Sequence, residues 1–537
     1  MKKIISVATL TLLVAMATGL RAQNIYDAVK FNNNELNGTA RFVGMGGAMG
    51  ALGGDISTIS TNPAGIGIYR SNDVMGTISF SALETKSNFN GLSMKEDKNQ
   101  FNFDNIGFVI SNKIGDYTAL RYVNVAFNYK RNKSFNKYMS MAGSVPTFTE
   151  NGEDYVVSQT TQMARQANLM YDATRTDIMD YKGNPYNDPN VGWLAALGWN
   201  GLMYEFYEFV NESGQTDGYY RGYIDQPPYS QFYSKETGGI DEFTLNTSFN
   251  FNDRVYLGLT LGLYDVNYRK YSWYDESYDD NWGYSLESWN RTKGTGFDVK
   301  IGAIVRPFEY SPLRIGLAIH TPTFYTLTNE TEALLAYEGM EDGNHQYWDD
   351  EISTYDELGG RVASTKYKLH TPWKYNFSLG YTVGSALALG AEYEYQDYSS
   401  MKFRYTDYQG GSMYWETGEA KDKLKGVSTL RLGAEYKFVP EFAFRVGYNL
   451  STAAFKKEAW KQLPDNSILT DTDFANTKSV SDYTFGFGYR GKSFYADLAY
   501  RLHTYKEDFY AFDHEYLQAT KVDNNRHQVL LTLGARF

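Results

Sequence analysis

The sequence predicts an all-β protein: a fourteen-stranded antiparallel transmembrane β-barrel with a glycine-rich N-terminal hatch and long extracellular loops. Three observations predict this class. Segments of alternating apolar and polar residues recur from residue 74 to the end. Short and long connections alternate between them, and the last segment ends the chain on Phe537. An apolar face backed by a polar face suits a strand between lipid and a wet lumen.

Fourteen segments show the strand period, and an even number is typical of bacterial barrels. They are Val74–Leu83, Asn105–Asn112, Leu120–Arg131, Glu242–Phe251, Val255–Tyr268, Gly296–Arg306, Leu313–Leu327, Pro372–Val383, Leu387–Tyr398, Ser428–Phe438, Phe442–Ser451, Asp482–Arg490, Phe494–His503 and Gln528–Phe537. The last strand should close the barrel against the first.

The connections between these segments alternate strictly in length. The short ones are Lys113–Thr118, Asn252–Asp253, Pro307–Tyr310, Gly384–Ser385, Val439–Pro440 and Gly491–Lys492. The long ones are 84–104, 132–241, 269–295, 328–371, 399–427, 452–481 and 504–527. Such alternation is typical of a barrel with tight periplasmic turns and long outer loops. In a soluble β-sandwich the connection lengths are not expected to alternate in this way.

The N-terminus predicts export. Lys2 and Lys3 precede an apolar run, Ile4–Leu20, and a cut after Ala22 would remove residues 1–22 as a signal peptide. The expected location is the outer membrane of a Gram-negative cell, in contact with its lipid and lipopolysaccharide. Phe537, as a terminal aromatic residue, resembles the signal that the barrel-assembly machinery recognises. We expect a monomer.

Composition excludes several classes of protein. There is no Cys, so disulfides, thiolate metal sites and a lipoprotein anchor are excluded. A net charge of −12 disfavours nucleic acid as a partner. Tyr outnumbers Phe by 47 to 32, which suits a surface where rings lie between apolar and wet regions. The mean hydropathy of −0.49 argues against a helical membrane protein but permits a barrel, whose lumen and loops are polar.

Strand parity places charged side chains in the lumen. Arg431, Glu435 and Arg445 all face inward by this rule, and a tight turn after residue 438 sets Glu435 opposite Arg445. We therefore predict that ion pair. Arg431 and Arg445 are also candidates for binding an anionic headgroup. Asn124 and Asn128 face inward on the third strand and are further candidate lumen residues.

The first segment after the predicted cut is different. Residues 23–72 are predicted to form a hatch inside the barrel, and residues 73–537 the barrel itself. Gly44–Asp55 is rich in small residues and is followed by Asn62-Pro63-Ala64-Gly65. Its glycine spacing does not fit a dinucleotide-binding loop, and no strand precedes it. Small residues suit a compact plug packed tightly within a tube.

The Asn62-Pro63-Ala64-Gly65 motif after a Gly/Ala-rich stretch resembles the N-terminal hatch of the FadL/TodX family of outer-membrane transporters. Further segments that resemble this family are Ile315–Pro322, Thr371–Tyr381, Leu389–Tyr395, Leu430–Tyr436 and Phe444–Tyr448. The resemblance implies a fourteen-stranded barrel that passes long-chain fatty acids or aromatic compounds passively. It implies capture by loops, binding in the lumen and movement of the hatch, with an exit sideways at strand three. It implies neither an enzyme nor a cofactor.

The long connection 132–241 departs from the family pattern. It is expected to be a partly helical extracellular insertion, with helices at Asp154–Met170 and Gly192–Phe209. Two interpretations of its apolar residues remain open: a groove that captures the solute, or the core of a cap that packs on itself. These residues are Trp193, Leu197, Met203 and Phe206.

Three rival functions were considered. A haem receptor would use His345 or His514, which lie in predicted outer loops. A barrel enzyme would need converging catalytic groups, and only the neighbours Asp513 and His514 suggest one. The long loops could also serve an adhesin. The acidic clusters at 275–280 and 349–357 lack regular calcium-ligand spacing, so no metal site is predicted.

Overall fold

The computed structural model describes residues 22–32, 35–150, 153–174, 176–210, 213, 216–222, 226–278, 282–341, 346–406 and 410–537. Three features named from the sequence fall wholly or partly outside this range: nearly all of the predicted signal peptide, His345, and the end of the first acidic cluster at 279–280.

The strands share one large sheet, apart from two small hairpins, β5–β6 and β7–β8. In chain order they are β1 (Asp73–Phe89), β2 (Leu92–Lys113), β3 (Leu120–Ser134), β4 (Lys137–Ser144), β5 (Phe148–Glu150), β6 (Glu153–Tyr155), β7 (Tyr204–Val210), β8 (Thr216–Gly222), β9 (Tyr229–Phe251), β10 (Val255–Ser277), β11 (Gly283–Val305), β12 (Arg314–His320), β13 (Phe324–Glu341), β14 (Gln346–Ser353), β15 (Ala363–His370), β16 (Lys374–Val383), β17 (Leu387–Asp397), β18 (Lys402–Tyr405), β19 (Gly426–Val439), β20 (Phe442–Ser451), β21 (Phe474–Arg490), β22 (Phe494–Tyr510) and β23 (Thr520–Arg536).

The helices are few and short. They are α1 (Ile25–Asn32), α2 (Ala40–Gly44), α3 (Gln159–Thr174), α4 (Trp193–Asn200), α5 (Thr354–Glu357) and α6 (Tyr414–Lys423), with single 3₁₀ turns at Ile56–Ser60, Pro63–Ile68, Pro185–Asn187 and Tyr398–Ser400. Among the described residues, no helix is both long and apolar enough to cross a membrane.

The large sheet closes on itself. β1 pairs with β2 on one side and with β23 on the other, where Val74 lies opposite Ala535. Counting β3 with β4, β12 with β13, β14 and β15 with β16, and β17 with β18 as interrupted single strands gives fourteen strands in the wall, all antiparallel to their neighbours. The predicted strand count and closure are therefore confirmed. The barrel has two ends. We call the end with the short connections the turn end and the opposite end the loop end.

The outer surface carries a belt of apolar side chains. On β10, alternate residues from Leu257 to Leu263 are about half exposed, and the residues between them are buried. The same alternation runs along β16, where Tyr375 and Phe377 point outward and Asn376 and Ser378 inward. A large exposed apolar surface around a polar interior is what a barrel in a lipid bilayer requires.

Several strands are much longer than predicted. β2 begins at Leu92 and not at Asn105, and β11 begins at Gly283 and not at Gly296. Much of the predicted loops 84–104, 269–295 and 504–527 is therefore strand, and those boundaries were wrong. Beyond the apolar belt both faces of a strand meet polar surroundings, so the alternation that marks a strand in sequence fades there.

Proline interrupts two strands of the barrel wall. The predicted strand Leu313–Leu327 breaks at residues 321–323 around Pro322, which separates β12 from β13. The next predicted strand, Pro372–Val383, begins two residues later, at Lys374, and β15 precedes it. Proline has no N–H to donate to a sheet, so a ladder is readily broken where it occurs.

Residues 22–32 and 35–72 run along the inside of the barrel, and we call them the hatch segment. At the loop end Gln23 bonds to Thr365 and Lys30 to Glu236. At the turn end Asn62 bonds to the main chain of Ala303. The hatch segment thus occupies the whole length of the lumen.

The insertion forms a cap at the loop end. Its helix α3 lies near the first predicted position, whereas the predicted helix Gly192–Phe209 stops at Asn200. The remainder, Tyr204–Val210, is strand β7 paired with β8. Gly201 follows the helix at its C-terminus, and the alternating aromatic residues after it favour a strand, so the single-helix prediction was wrong.

Candidate functional site in the barrel lumen

The hatch segment is fitted against inward-facing glycines of the wall. A Cβ atom on Gly390 would lie 1.9 Å from the carbonyl oxygen of Ala48, and one on Gly433 would lie 2.3 Å from that of Met45. On Gly447 it would lie 2.1 Å from the amide nitrogen of Gly46. We call these three residues the glycine belt. Main chain meets main chain there, which only glycine permits.

The glycine belt is a functional feature that sequence reasoning missed. Strand parity turns Gly433 and Gly447 toward the lumen but does not show what they contact. The signal in the sequence was glycine at inward positions of successive strands. A water-filled lumen does not require glycine at these positions, whereas close approach of a second main chain does.

The Asn62-Pro63-Ala64-Gly65 motif seals the lumen at the turn end. The Asn62 side chain accepts a hydrogen bond from Ala64 N at 3.1 Å and donates one to Ala303 O at 3.1 Å. The Pro63 carbonyl accepts one from Ser248 Oγ at 2.8 Å. Ala64 is fully buried, and Gly65 leaves no room for a Cβ beside Thr58. The motif therefore fixes a tight turn to two strands of the wall, β9 and β11.

The predicted ion pair between Glu435 and Arg445 is present, with 2.6 Å between Oε2 and Nε. Arg445 also bonds Asp497 at 2.7 Å. Arg41 of the hatch segment adds a second cation to Glu435 at 2.8 Å. The carboxylate of Glu435 thus joins the hatch segment to the wall, a role for Arg41 that strand patterns could not reveal.

Arg431 is likewise engaged by carboxylates. It lies 2.7 Å from Glu392 and 3.2 Å from Glu394. Both arginines singled out as candidate headgroup ligands therefore already balance buried acidic groups, which is what structural ion pairs require.

The two lumen asparagines of β3 have different partners. Asn124 donates hydrogen bonds to Ile66 O at 2.7 Å and Tyr69 O at 3.1 Å, so it holds the part of the hatch segment at the turn end of the barrel. Asn128 accepts a bond from Asn105 on the neighbouring strand at 2.5 Å.

A cavity of about 240 Å³ lies between the hatch segment and the loop end. Helix α1 supplies part of its wall, and strands from both sides of the barrel supply the rest. Aromatic and apolar lining residues include Tyr26, Leu36, Phe42, Phe135, Met139, Tyr398, Val427, Phe455, Phe474, Tyr505 and Phe509. This mixture of rings and aliphatic groups can accommodate an apolar body.

Charged groups surround the same cavity, nearly all in pairs. Lys30 pairs with Glu236 at 3.0 Å, and Arg526 pairs with Glu35 at 2.8 Å. Within the described part of the chain, the cavity cation without a carboxylate in ion-pairing range is Lys133. Its ammonium donates to the carbonyl of Lys30 at 2.9 Å, near the C-terminus of α1. Lys133 is therefore the cavity cation best able to accept a further anion.

One acidic group fastens a loop to the cavity wall. Asp471 lies 2.8 Å from Lys270 of β10 and 3.2 Å from Lys461. Burial alone would raise the pKa of Asp471, but these two ammonium groups outweigh it and hold that pKa below its usual range. The loop 452–473 is thereby held against the wall at neutral pH.

The wall has an incomplete seam between β2 and β3. Their ladder ends at the pair Asn105 and Lys130, although β2 continues in its hairpin with β1. Asp104 on β2 and Asn132 on β3 are both bulged out of register at this point. Asn37 of the hatch segment bridges the seam, donating to Asp104 Oδ1 at 2.8 Å and Arg131 O at 3.0 Å.

The candidate capture residues lie inside the cap. Trp193, Leu197 and Met203 have no exposed surface, and they belong to one cluster with residues of β11, β13 and the loop 452–473. Phe206 is partly buried against it. In this conformation Trp193, Leu197 and Met203 are therefore not accessible to a solute.

The remaining candidate groups do not converge on a reactive site. Asp513 pairs with Arg165 of the cap, and His514 lies beside the stacked rings of Phe148 and Tyr516. Across the described ranges, no three His, Asp or Glu side chains are placed to hold a metal ion.

Comparison with known proteins gives structural similarities only. No protein-family model and no curated protein matches the sequence. A Pseudomonas aeruginosa FadL homologue is 12% identical, with 94% of this chain and 99% of that chain covered and a TM-score of 0.47. The Pseudomonas putida toluene transporter TodX is 9% identical over 96% and 100%, with a TM-score of 0.45. The Ralstonia pickettii toluene transporter TbuX is 11% identical, with 94% of this chain and 100% of that chain covered and a TM-score of 0.41. This chain is thus similar to solved barrels of the FadL and TodX kind.

Proposed function

We propose that this protein is an outer-membrane channel for the passive passage of hydrophobic or amphipathic small molecules. The observation that carries the proposal is the cavity above the hatch segment, which is lined by rings and by one cation without a carboxylate partner. A porin needs a continuous aqueous path. Here the hatch segment meets the wall main chain to main chain, and this contact supports a closed, ligand-binding lumen.

The seam between β2 and β3 supports an exit to the side. At the glycine belt the hatch segment lies directly against the wall, so a path past these contacts requires displacement of the hatch segment. Among the described residues, the β2–β3 ladder does not extend beyond the pair Asn105 and Lys130, and the Asn37 side chain bridges the two strands there. We infer that a solute passes from the cavity toward this seam when the upper hatch segment moves.

The lining favours a solute with an apolar body and one anionic group, as in a long-chain fatty acid. Aromatic and aliphatic side chains suit the body, and Lys133 suits the acid. An anion in a poorly hydrated pocket needs such a cation, because desolvating an isolated charge is costly. A neutral aromatic compound would use the rings alone.

The proposal has three further parts. Export by a signal peptide and insertion into the outer membrane through recognition of Phe537 rest on the sequence, and a monomeric state rests on the lumen that one chain forms. Capture by the cap requires that the cluster around Trp193 opens or that solute enters beside it. No contact of the described residues favours a haem receptor or an adhesin over a channel.

Uptake measurements test the function and the role of Lys133 together. Cells producing the protein should take up a long-chain fatty acid and a neutral aromatic compound faster than cells without it. Lys133→Met should reduce fatty-acid uptake several-fold and leave the aromatic compound unaffected, because only the acid needs the cation.

Lys478→Met is the matched control, since Lys478 also lines the cavity but pairs with Asp508 at 3.1 Å. It should leave both uptake rates unchanged. If wild-type protein speeds neither solute, the channel proposal is wrong. If Lys133→Met slows both solutes equally, Lys133 supports helix α1 and does not select for charge.

A further inference from the structure

Three neighbouring strands of the wall extend far beyond the apolar belt. β9, β10 and β11 have 23 residues each, whereas a tilted strand needs about 9–11 residues to cross the hydrocarbon layer. On β10 the outward apolar residues end at Leu263, and the next outward positions are Asp265, Asn267 and Arg269. The upper part of this wall therefore lies outside the hydrocarbon layer. With the short turns in the periplasm, as in bacterial barrels, it lies among the headgroups of the outer leaflet.

A row of aromatic rings crosses this upper wall on its outer face. Tyr271 of β10 lies opposite Trp289 of β11, with 5.4 Å between the ring centroids. Tyr233 of β9 lies 6.3 Å from Tyr271 and 6.5 Å from Tyr138 of β4. All four rings are partly exposed, and we call them the ring row.

The ring row is not the aromatic girdle of the membrane interface. Such a girdle directly borders the hydrocarbon layer. The rise and tilt of barrel strands place Tyr271 about 20 Å further out than Leu263. Polar outward residues occupy the strand between them. The rings therefore face something other than acyl chains.

Two arginines lie between the ring row and the apolar belt. Arg269 is directly opposite Arg291 on the outward face of β10 and β11. Like charges in this position destabilise a strand pair. Arg291 lies 3.6 Å from Glu330, which also binds Lys293, whereas the exposed Arg269 has no ion-pair partner in the described ranges. A bound anion would offset the repulsion, and phosphate suits the guanidinium group.

The wall formed by β22, β23 and β1 differs beyond the apolar belt. There the outward charges pair with one another, as Lys506 does with Asp523 at 3.2 Å and Lys521 with Asp508 at 2.7 Å. A paired charged surface of this kind suits water. The ring row and Arg269 instead suit a ligand that has apolar C–H faces, hydroxyl groups and negative charge. A phosphorylated sugar has all three.

We propose that the outer face of β4, β9, β10 and β11 beyond the apolar belt binds the phosphorylated sugar headgroup of lipopolysaccharide. The sugar rings lie against the ring row, and a phosphate lies between Arg269 and Arg291. The acyl chains of the same molecule lie against the apolar belt below, so the two surfaces form one continuous lipid site. This site is independent of the lumen and of the transported solute.

Binding measurements on the folded protein in detergent test this site. The probes are rough-type lipopolysaccharide, the same material after dephosphorylation, and lipid A, which lacks the core sugars. Tyr271→Ser combined with Trp289→Ser should weaken binding of lipopolysaccharide several-fold and leave binding of lipid A unchanged. Arg269→Gln should weaken binding of lipopolysaccharide several-fold and leave binding of the dephosphorylated form unchanged.

Two variants serve as controls, and both should bind lipopolysaccharide like the wild type. Tyr207→Ser removes a ring of the cap that is 39% exposed, and Lys506→Gln removes a cation of the other wall. The mobility shift on heating shows that each variant is folded. Unchanged affinity in the ring and arginine variants overturns the site. An equal loss of lipid A binding in the ring variant assigns the rings to the acyl region and also overturns it. A change of oligomeric state in place of lipopolysaccharide affinity makes this face a contact between copies of the chain. None of these results bears on channel function, because no transport is measured.

Discussion

Arg445 is almost completely buried between the carboxylates of Glu435 and Asp497, and Glu435 is shared with Arg41 of the hatch segment. Buried charges are stable only when each has its partners, so the removal of one partner costs more than the pair contributes. The Glu435–Arg445 pair followed from strand parity and a tight turn. Arg41 could not be foreseen because the hatch segment has no period that fixes its side chains.

At this scale we expect Glu435→Gln to destabilise the barrel by about 3–5 kcal/mol, the usual cost of leaving a buried cation unpaired. Two arginines lose their shared carboxylate, and the hatch segment loses a contact with β19. The measurement is thermal unfolding followed by the mobility shift of heated and unheated samples. Glu84→Gln is the control, since Glu84 pairs with Lys86 and Lys95 at the surface. Equal melting temperatures for both variants would contradict the argument.

At the scale of elements, the contact of the hatch segment with the wall depends on glycine. The strands supply a pleated surface, and the glycine belt lowers it locally so that a second main chain can lie against it. The strand period was readable wherever lipid lies outside and the lumen inside. Beyond the apolar belt of the outer surface the strand period was not readable, which is why β2 and β11 proved longer than predicted.

Gly390→Ala should displace the hatch segment, because the new methyl group would overlap the carbonyl oxygen of Ala48. Such overpacking typically costs about 1–3 kcal/mol. The expected result is a lower melting temperature and faster labelling of a cysteine placed at Ala48, in a chain that otherwise has no Cys.

Gly76→Ala provides the matched comparison. It lies in a wall strand too, but the nearest atom to its added Cβ would be 3.9 Å away. This variant should match the wild type in melting temperature and in labelling rate. If both alanine variants behave alike, the glycine belt does not set the position of the hatch segment.

At the scale of the whole molecule, the strand ladder of the barrel is continuous without the cap. The fourteen-strand ladder passes from β3 and β4 directly to β9, where Ser144 lies opposite Tyr229. In the described part of the cap between them, β7 pairs with β8 in a separate hairpin, and the apolar cluster around Trp193 packs on side chains of β11 and β13 without adding a strand to the ladder. Closure of the barrel therefore does not depend on the cap.

Replacement of residues 146–227 by a short flexible linker should leave a folded barrel that still shifts in mobility on heating. Uptake by this shortened protein separates the two interpretations of the cap. Slower uptake supports a role in capture, whereas faster or equal uptake indicates a cover over the cavity. Failure of the shortened chain to form a heat-modifiable barrel would contradict the separation of barrel and cap.

The sequence by itself determined the closed fourteen-stranded barrel, its short and long ends and the inward charges of its walls. These features follow from a period of two residues, which the contrast between lipid and lumen imposes on each strand separately. Only the tertiary structure decided where the hatch segment lies, which cavity cation lacks a carboxylate partner among the described residues and where the ladder between β2 and β3 ends. Those features depend on contacts between residues hundreds of positions apart, such as Arg41 with Glu435, and no local pattern records them.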